Sequence, residues 1–328
     1  MIVGVSFEDP GLTSRIRSGV DRVEALLARS VDSPEPFVAE AAAHLLNAGG
    51  KRFRPLLTLL CAEFGEPRGD EAVEAAVVME LTHLATLYHD DVMDEAPVRR
   101  GAPSANARWD NSIAILVGDY LFAEASQIVA GLGTEAVRIQ AETFSRLVRG
   151  QIRETLGPGE GEDPLRHYLD VVADKTGSLI AACALLGSKM AGASEEVQRT
   201  LLEFGERIGV AFQLADDIID IASESGDSGK TPGTDLREGV PTLPTLLVLA
   251  SSDDADAELR ARLSAPIEDD ARVEGTLDEL RAHPAMAEAR AYVHAEADAS
   301  RALLEKLPAG PARDALSELC DTVVTRVG

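Results

Sequence analysis

Apolar residues recur at three- and four-residue spacing along almost the whole chain, and no stretch alternates with the two-residue rhythm of a half-buried strand. That periodicity predicts helices near 12–30, 35–48, 53–64, 70–94, 110–130, 134–156, 163–191, 194–222, 241–251, 255–264, 285–306 and 310–326. The expected class is all-α. Breaks fall at Gly49-Gly50, Gly65 to Asp70, Pro97 to Pro103, Gly157 to Asp163 and the polar stretch Ser223 to Gly239. None is long enough to be an interdomain linker, so residues 1–328 are expected to form a single helical domain. The 223–239 stretch is the longest loop, and loops of that length inside a compact domain are commonly functional. Region 252–283 is acidic and weakly patterned beyond its one short helix.

The formal charge of -25 disfavours nucleic acid or an anionic membrane as a general partner, because the mean surface field repels phosphate. A phosphorylated substrate must be met locally. Of the five lysines, Lys51, Lys175 and Lys230 lie in or beside glycine-containing polar segments. Cys61, Cys183 and Cys320 have neither metal-ligand spacing nor an even number, which fits a reducing compartment. Met1 to Pro10 carries Glu8 and Asp9 and no basic-then-apolar pattern, and the longest uncharged stretches, such as Thr176 to Ser188, are short for a bilayer. A soluble cytoplasmic protein without a transmembrane segment is expected.

Two acidic clusters share one spacing: Asp90-Asp91-Val92-Met93-Asp94 and Asp216-Asp217-Ile218-Ile219-Asp220. Each closes an apolar helix, where the negative end of the helix dipole makes an acid cost about 0.3–1 kcal/mol. Like charges four residues apart add about 0.2–0.5 kcal/mol. A single cluster is compatible with a solvated helix end, but a duplicated one with apolar residues inside it asks for a compensating cation. Residues four apart share a helix face, so Asp90 with Asp94, and Asp216 with Asp220, can approach one hard ion. Magnesium suits such a site, since it takes one or two carboxylates and completes its shell with water and phosphate oxygens.

Cations gather in four further places. Gly49-Gly50-Lys51-Arg52-Phe53-Arg54-Pro55 sets three of them where a loop enters a helix, an anion-binding arrangement without the Walker spacing of a P-loop. Arg99-Arg100-Gly101 follows the first acidic cluster, and Lys175-Thr176-Gly177 and Gly229-Lys230-Thr231 are short cation-glycine segments. His83 lies two turns before Asp90 and near the same face. Alone, a histidine on an apolar helix is more often a core residue.

Taken in order, these motifs resemble the trans-prenyltransferases, the polyprenyl diphosphate synthases, over about residues 40–250. The match runs from Gly49-Gly50-Lys51-Arg52-Phe53-Arg54-Pro55 through Glu80, His83, His89-Asp90-Asp91 and Arg99-Arg100-Gly101. It continues with Gly118-Asp119-Tyr120-Leu121-Phe122, Lys175-Thr176-Gly177, Phe212-Gln213, Asp216-Asp217 and Asp235-Leu236-Arg237-Glu238-Gly239. The resemblance implies the isoprenoid synthase fold: an orthogonal helical bundle around a deep central cavity, usually a homodimer, with the two aspartate motifs facing each other across the mouth. It further implies a magnesium-dependent head-to-tail condensation of isopentenyl diphosphate with an allylic diphosphate, with three magnesium ions per active site. Asp90, Asp91, Asp94, Asp216, Asp217 and Asp220 would form the metal site. Arg99, Lys175, Thr176, Gln213 and Lys230 would hold the allylic diphosphate; Lys51, Arg54, His83 and Arg100 would hold isopentenyl diphosphate. Asp90, Asp91, Asp94, Lys175, Gln213 and Asp216 would carry the catalysis. The sequence departs from the pattern at Thr234, where many members have a second lysine, and in a tail without a basic cluster.

Product length follows from the fourth and fifth residues before Asp90, which point about one turn, roughly 5–6 Å, below the metal site. Here they are Ala85 and Thr86, where short-chain members of the family carry a bulky aromatic. A long-chain all-trans product of the kind used for quinone side chains is therefore expected, with Phe64, Val78 and Phe144 as candidates for the floor. The rival readings are a non-catalytic subunit of a heteromeric synthase, a short-chain geranylgeranyl-type synthase, and a cyclase or head-to-head enzyme, which would not need the Lys51, Arg54 and His83 site.

Overall fold

The computed structural model describes residues 7–66, 69–223 and 232–327. In chain order the helices are α1 (Pro10–Ser30), α2 (Pro36–Asn47), α3 (Phe53–Ala62), α4 (Glu71–Met93), α5 (Ala105–Arg108), α6 (Asn111–Gly131), α7 (Thr134–Leu156) and α8 (Pro164–Val172). A π-helical turn (Ala173–Gly177) leads into α9 (Ser178–Met190), followed by α10 (Glu195–Ala222), α11 (Thr234–Glu238), α12 (Leu243–Leu249), α13 (Ala257–Leu263), α14 (Asp270–Ala282), α15 (Pro284–Leu304) and α16 (Pro311–Thr325). The described strands are β1 (Val98–Arg99) and β2 (Ala102–Pro103), paired antiparallel. The all-α class expected from periodicity holds.

Several helix starts are written in the sequence. Asp9 accepts a hydrogen bond from the Leu12 amide at 2.5 Å with Pro10 following, and Asp163 caps α8 through the Leu165 and Arg166 amides at 2.9 and 3.1 Å before Pro164. Asp110 and Asp269 cap α6 and α14 in the same way, accepting from the Ile113 and Arg272 amides, both at 2.8 Å.

The contacts group the chain into two compact units. The first comprises Met1–Ser145, Leu179–Gly205 and Leu304–Leu316. Its centre is α4, buried on nearly all sides from Ala72 to Asp91, against which α1, α3 and above all α6 pack. A helix covered all round has little amphipathicity to show, so α4 reads as continuous apolar sequence rather than a stripe. The second unit comprises Arg146–Ser178, Glu206–Leu303 and Ser317–Gly328, with α12 packed on α8 and α13.

The structure departs from expectation at five points. The helix expected over 163–191 is interrupted by the π turn at 173–177, which falls on Lys175-Thr176-Gly177. Region 252–283 contains α14, whose buried Val273, Thr276, Leu277 and Leu280 form a short stripe diluted by Gly275 and acidic neighbours. The expected loop 223–239 holds α11, while residues 224–231, including Lys230, lie outside the described residues. The break at Pro97 to Pro103 contains a hairpin whose two-residue turn, Arg100-Gly101, has φ of 55° and 75°, as a type I′ turn requires. Finally, α6 is long and apolar enough to cross a membrane by length and composition, with mean hydropathy 1.5 over its best window. Asp119 and Glu124 interrupt its uncharged run. Its Ala114, Val117, Leu121, Ala125 and Val129 are buried, and α4 is its main neighbour.

Candidate active site

In the first unit, the first aspartate cluster closes α4 as the sequence predicted. Glu95 takes the left-handed conformation (φ 49°), and the Ala96 and Glu95 amides donate to the Asp91 and Val92 carbonyls at 3.0 and 3.4 Å. This is a Schellman-type cap with a glutamate where glycine is usual. It fixes the cluster at the helix terminus. Asp90 is half-buried, Asp94 exposed and Asp91 fully buried. Met93 is 52% exposed, so an apolar residue inside the cluster is compatible with a solvated helix end at that position.

Arg99 supplies the compensating cation, its Nε donating to Asp91 Oδ1 at 2.6 Å. Burial nonetheless pushes the Asp91 carboxyl up against the pull of Arg99. The hairpin that carries Arg99 on β1 also sends Arg100, in its turn, to the Leu45 carbonyl at 2.9 Å and to the Gly49 carbonyl. Arg100 is thereby tied to the end of α2 and the start of the Gly49-Gly50-Lys51 loop.

Within that loop the three cations separate by role. Arg52 is 6% exposed and sits in the left-handed region at φ 49°. It donates to Glu24 at 2.5 Å, Glu80 at 3.4 Å, and the Gly49 and Leu46 carbonyls, both at 3.2 Å. Arg52 is a structural cross-link, whereas Lys51 is exposed and Arg54 half-exposed. His83 lies among Arg54, Arg100, Arg99 and Arg52; burial first, then these guanidiniums, hold it well below its usual range and therefore neutral. A neutral imidazole ringed by arginines marks where an anion would be welcome. Ala85 and Thr86 are buried, Thr86 donating to the His83 carbonyl at 2.8 Å, and Val78 is buried in the same helix. Phe144 stacks on Phe122 with centroids 4.2 Å apart, and Phe64 is half-buried. Gly118 is dictated by close approach: a Cβ there would stand 2.2 Å from His89 Nε2.

In the second unit, the second cluster lies in the last two turns of α10. Asp217 is 6% exposed; its Oδ2 accepts from the Tyr168 hydroxyl and its Oδ1 from Gln213 Nε2 at 3.0 Å. The Gln213 carbonyl oxygen accepts from Thr176 Oγ1 at 3.1 Å, which orients the amide. Thr176, Gln213, Asp217 and Tyr168 thus form one hydrogen-bonded chain. Burial raises the Asp217 carboxyl to about 6, with Asp216 and Asp220 adding to the rise and the Tyr168 and Gln213 hydrogen bonds opposing it. Asp220 accepts from the Asp235 amide at 3.4 Å, joining α11 to the cluster. Arg281 of α14 donates to the Ile221 and Ser223 carbonyls at 2.8 and 2.9 Å, capping the end of α10.

The π turn delivers Lys175, whose Nζ donates to Glu154 at 2.5 Å. Arg146 bridges Asp174 at 2.9 Å and Glu206 at 2.6 Å, bracing the turn from α7 and α10. Gly150 permits that approach, because a Cβ there would lie 2.8 Å from the Lys175 amide nitrogen. π turns inside helices recur at functional sites, and this one sets two of the predicted ligands out of α-helical register. Tyr168, Glu154, Arg146 and Arg281 escaped the sequence reading. The Asp217 and Tyr168 pairing has no local signal, since 49 residues separate them.

Among the described residues no three histidine, cysteine or carboxylate side chains form a preformed metal cage. The donor set is all carboxylate, and Asp91 Oδ2 is buried with no hydrogen-bond partner among the described residues, an uncompensated acceptor that a cation would satisfy. The residues fit a divalent cation.

Acidic helix ends, an arginine-ringed neutral histidine and a lysine-bearing π turn on an all-helical chain describe a protein built to hold phosphorylated ligands and divalent cations. A sequence profile of the polyprenyl synthetase family matches residues 35–280. The chain is 51% identical to nonaprenyl diphosphate synthase of Mycobacterium tuberculosis, covering 100% of this chain and 98% of the relative. It is 42% identical to a dimethylallyltranstransferase of the same organism, covering 99% of each. Among solved structures, geranylgeranyl pyrophosphate synthase from Corynebacterium glutamicum, complexed with calcium and isoprenyl diphosphate, superposes with a TM-score of 0.89 at 49% identity, covering 99% of this chain and 100% of that one. The chain belongs to the polyprenyl synthetase family and is a prenyltransferase.

Proposed function

We propose that the protein extends an allylic diphosphate by head-to-tail addition of isopentenyl diphosphate, giving a long-chain all-trans polyprenyl diphosphate. The observation that carries this reading is His83, held neutral among Arg54, Arg99 and Arg100 in the unit that bears the first aspartate cluster. A cyclase or head-to-head enzyme needs no such second anion site. Similarity to nonaprenyl diphosphate synthase and small residues at positions 85 and 86 support the long chain. A geranylgeranyl-type product is the second reading, favoured by the 49% identity to the Corynebacterium enzyme.

Lys51, Arg54, His83 and Arg100 would bind isopentenyl diphosphate, and Arg99, Lys175, Thr176, Gln213 and Lys230 the allylic diphosphate. Asp90, Asp91, Asp94, Asp216, Asp217 and Asp220 would hold magnesium, three ions per site by family resemblance. When bound, magnesium supplies charge neutralisation of the departing diphosphate. Lys175 and Arg99 would each offer fixed positive charge to a diphosphate. Exchange of their carboxylate partners, Glu154 and Asp91, for phosphate would accompany substrate binding. No side-chain nucleophile is required, and the proton lost on condensation is assigned to the released diphosphate.

We further infer that the two units act as one catalytic domain, that the protein is cytoplasmic, and that it is a homodimer. Exposed Ile115 and Leu116 on α6 support self-association. Turnover of labelled isopentenyl diphosphate should depend on both magnesium and an allylic primer, and should fall at least a hundredfold in Asp90→Asn and Lys51→Ala/Arg54→Ala. Turnover of an allylic diphosphate to a cyclic product without isopentenyl diphosphate would refute the assignment.

A further inference from the structure

The last described turn of the chain reaches the second aspartate cluster. Arg326, one residue beyond α16, places its Nη2 at 2.5 Å from Asp216 Oδ1. Its guanidinium carbon lies 4.6 Å from the centroid of the Phe212 ring, one turn before Asp216 on α10. The stack and the ion pair therefore occupy consecutive turns of one helix face. Arg326 Nη1 is buried with no hydrogen-bond partner among the described residues. The backbone around it is pinned: the Val327 carbonyl accepts from Arg290 Nε at 2.7 Å, and the Val327 side chain is 4% exposed. This is an arginine delivered by an anchored terminus to a carboxylate assigned to a metal.

We propose that Arg326 is a cation surrogate: it neutralises Asp216 in the metal-free protein and must be displaced before Asp216 ligates a divalent ion. The inference rests on the assignment of Asp216 as a metal ligand. A divalent ion on Asp216 would carry a second positive charge to the carboxylate that Arg326 already meets at 2.5 Å, and the two cations repel, so metal binding and the Arg326 contact oppose each other, each weakening the other by the same factor. The displaced guanidinium stays near the cluster because Val327 remains anchored, and its unpartnered Nη1 already has unused donor capacity for a phosphate oxygen.

The test is manganese binding to the substrate-free full-length protein, read from the electron paramagnetic resonance signal of free Mn²⁺, so that no turnover is needed. Arg326→Met should bind about tenfold more tightly than wild type, the factor equivalent to ~1.4 kcal/mol of released ion-pair energy. Phe212→Leu, which leaves Arg326 and Asp216 in place but removes the ring beneath the guanidinium, should tighten binding by a smaller factor. Affinity that is unchanged or weaker in both variants, with the melting temperature retained, overturns the proposal. Asp216→Asn added to Arg326→Met separates the two levels of the argument. If it weakens manganese binding while Arg326→Met alone changed nothing, the latch is wrong and the metal assignment stands. If it has no effect, Asp216 is not a ligand and the assignment itself falls.

Discussion

Replacing Arg52 by methionine should destabilise the protein far more than any other change in the Gly49 to Pro55 motif. Arg52 and Glu80 have side chains only 6% and 3% exposed, so removing the guanidinium leaves a buried carboxylate without its ion-pair partner. Breaking a buried pair from one side costs about 3–5 kcal/mol. The Glu24 contact adds little, because that carboxylate is 43% exposed and solvent screens it. At ~2–4 °C per kcal/mol, the melting temperature should fall by roughly 6–20 °C. Scanning fluorimetry on Arg52→Met, Glu80→Gln and the double variant measures this. The double variant should recover a large part of the loss, because the stranded charge is gone. Lys51→Ala, one residue away and exposed, should leave the melting temperature within about 1 °C while raising KM for isopentenyl diphosphate. A loss below about 1 kcal/mol in Arg52→Met, or no recovery in the double variant, would refute the division of this motif into a structural arginine and ligand-binding neighbours.

The remaining predictions are shorter. His83 titrates below its usual value of 6.5 in the folded protein, so below that pH the unfolded chain takes up a proton the folded one does not. Stability should therefore fall with decreasing pH, at up to ~1.4 kcal/mol per pH unit from this group, and His83→Gln should flatten the slope of melting temperature between pH 7 and 5.5. Gly150→Ala places a Cβ 2.8 Å from the Lys175 amide, and should raise KM for the allylic diphosphate by shifting the π turn; an unchanged KM would show that the turn does not position Lys175. Ala85→Phe should shorten the product, read by reverse-phase chromatography of the dephosphorylated alcohol, and unchanged length would remove Ala85 from the chain-length wall.

Much of this protein was legible before any coordinates, because helix periodicity and helix caps are local signals. Asp9, Asp110 and Asp163 open helices within a residue or two of the expected starts, and both aspartate clusters sit at helix ends as predicted. The π turn was not legible, since Lys175-Thr176-Gly177 continues an apolar period and only the braces from Arg146 and Gly150 reveal the altered register. Nor was the division of labour among cations: Lys51, Arg52 and Arg54 look equivalent in sequence, and burial beside Glu80 is what distinguishes Arg52. Tyr168 on Asp217 and Arg326 on Asp216 are contacts across 49 and 110 residues, beyond the reach of any short-range pattern. α14 was hidden by composition rather than distance, its stripe too short to stand out among acidic neighbours.

The central claim is best tested by incubating purified protein with magnesium, labelled isopentenyl diphosphate and farnesyl diphosphate, then sizing the dephosphorylated product by mass spectrometry. A series of all-trans alcohols extending well beyond geranylgeraniol is the predicted result. Accumulation of geranylgeraniol alone would contradict the long-chain assignment, and the absence of any elongated product from folded protein would contradict the assignment as a synthase.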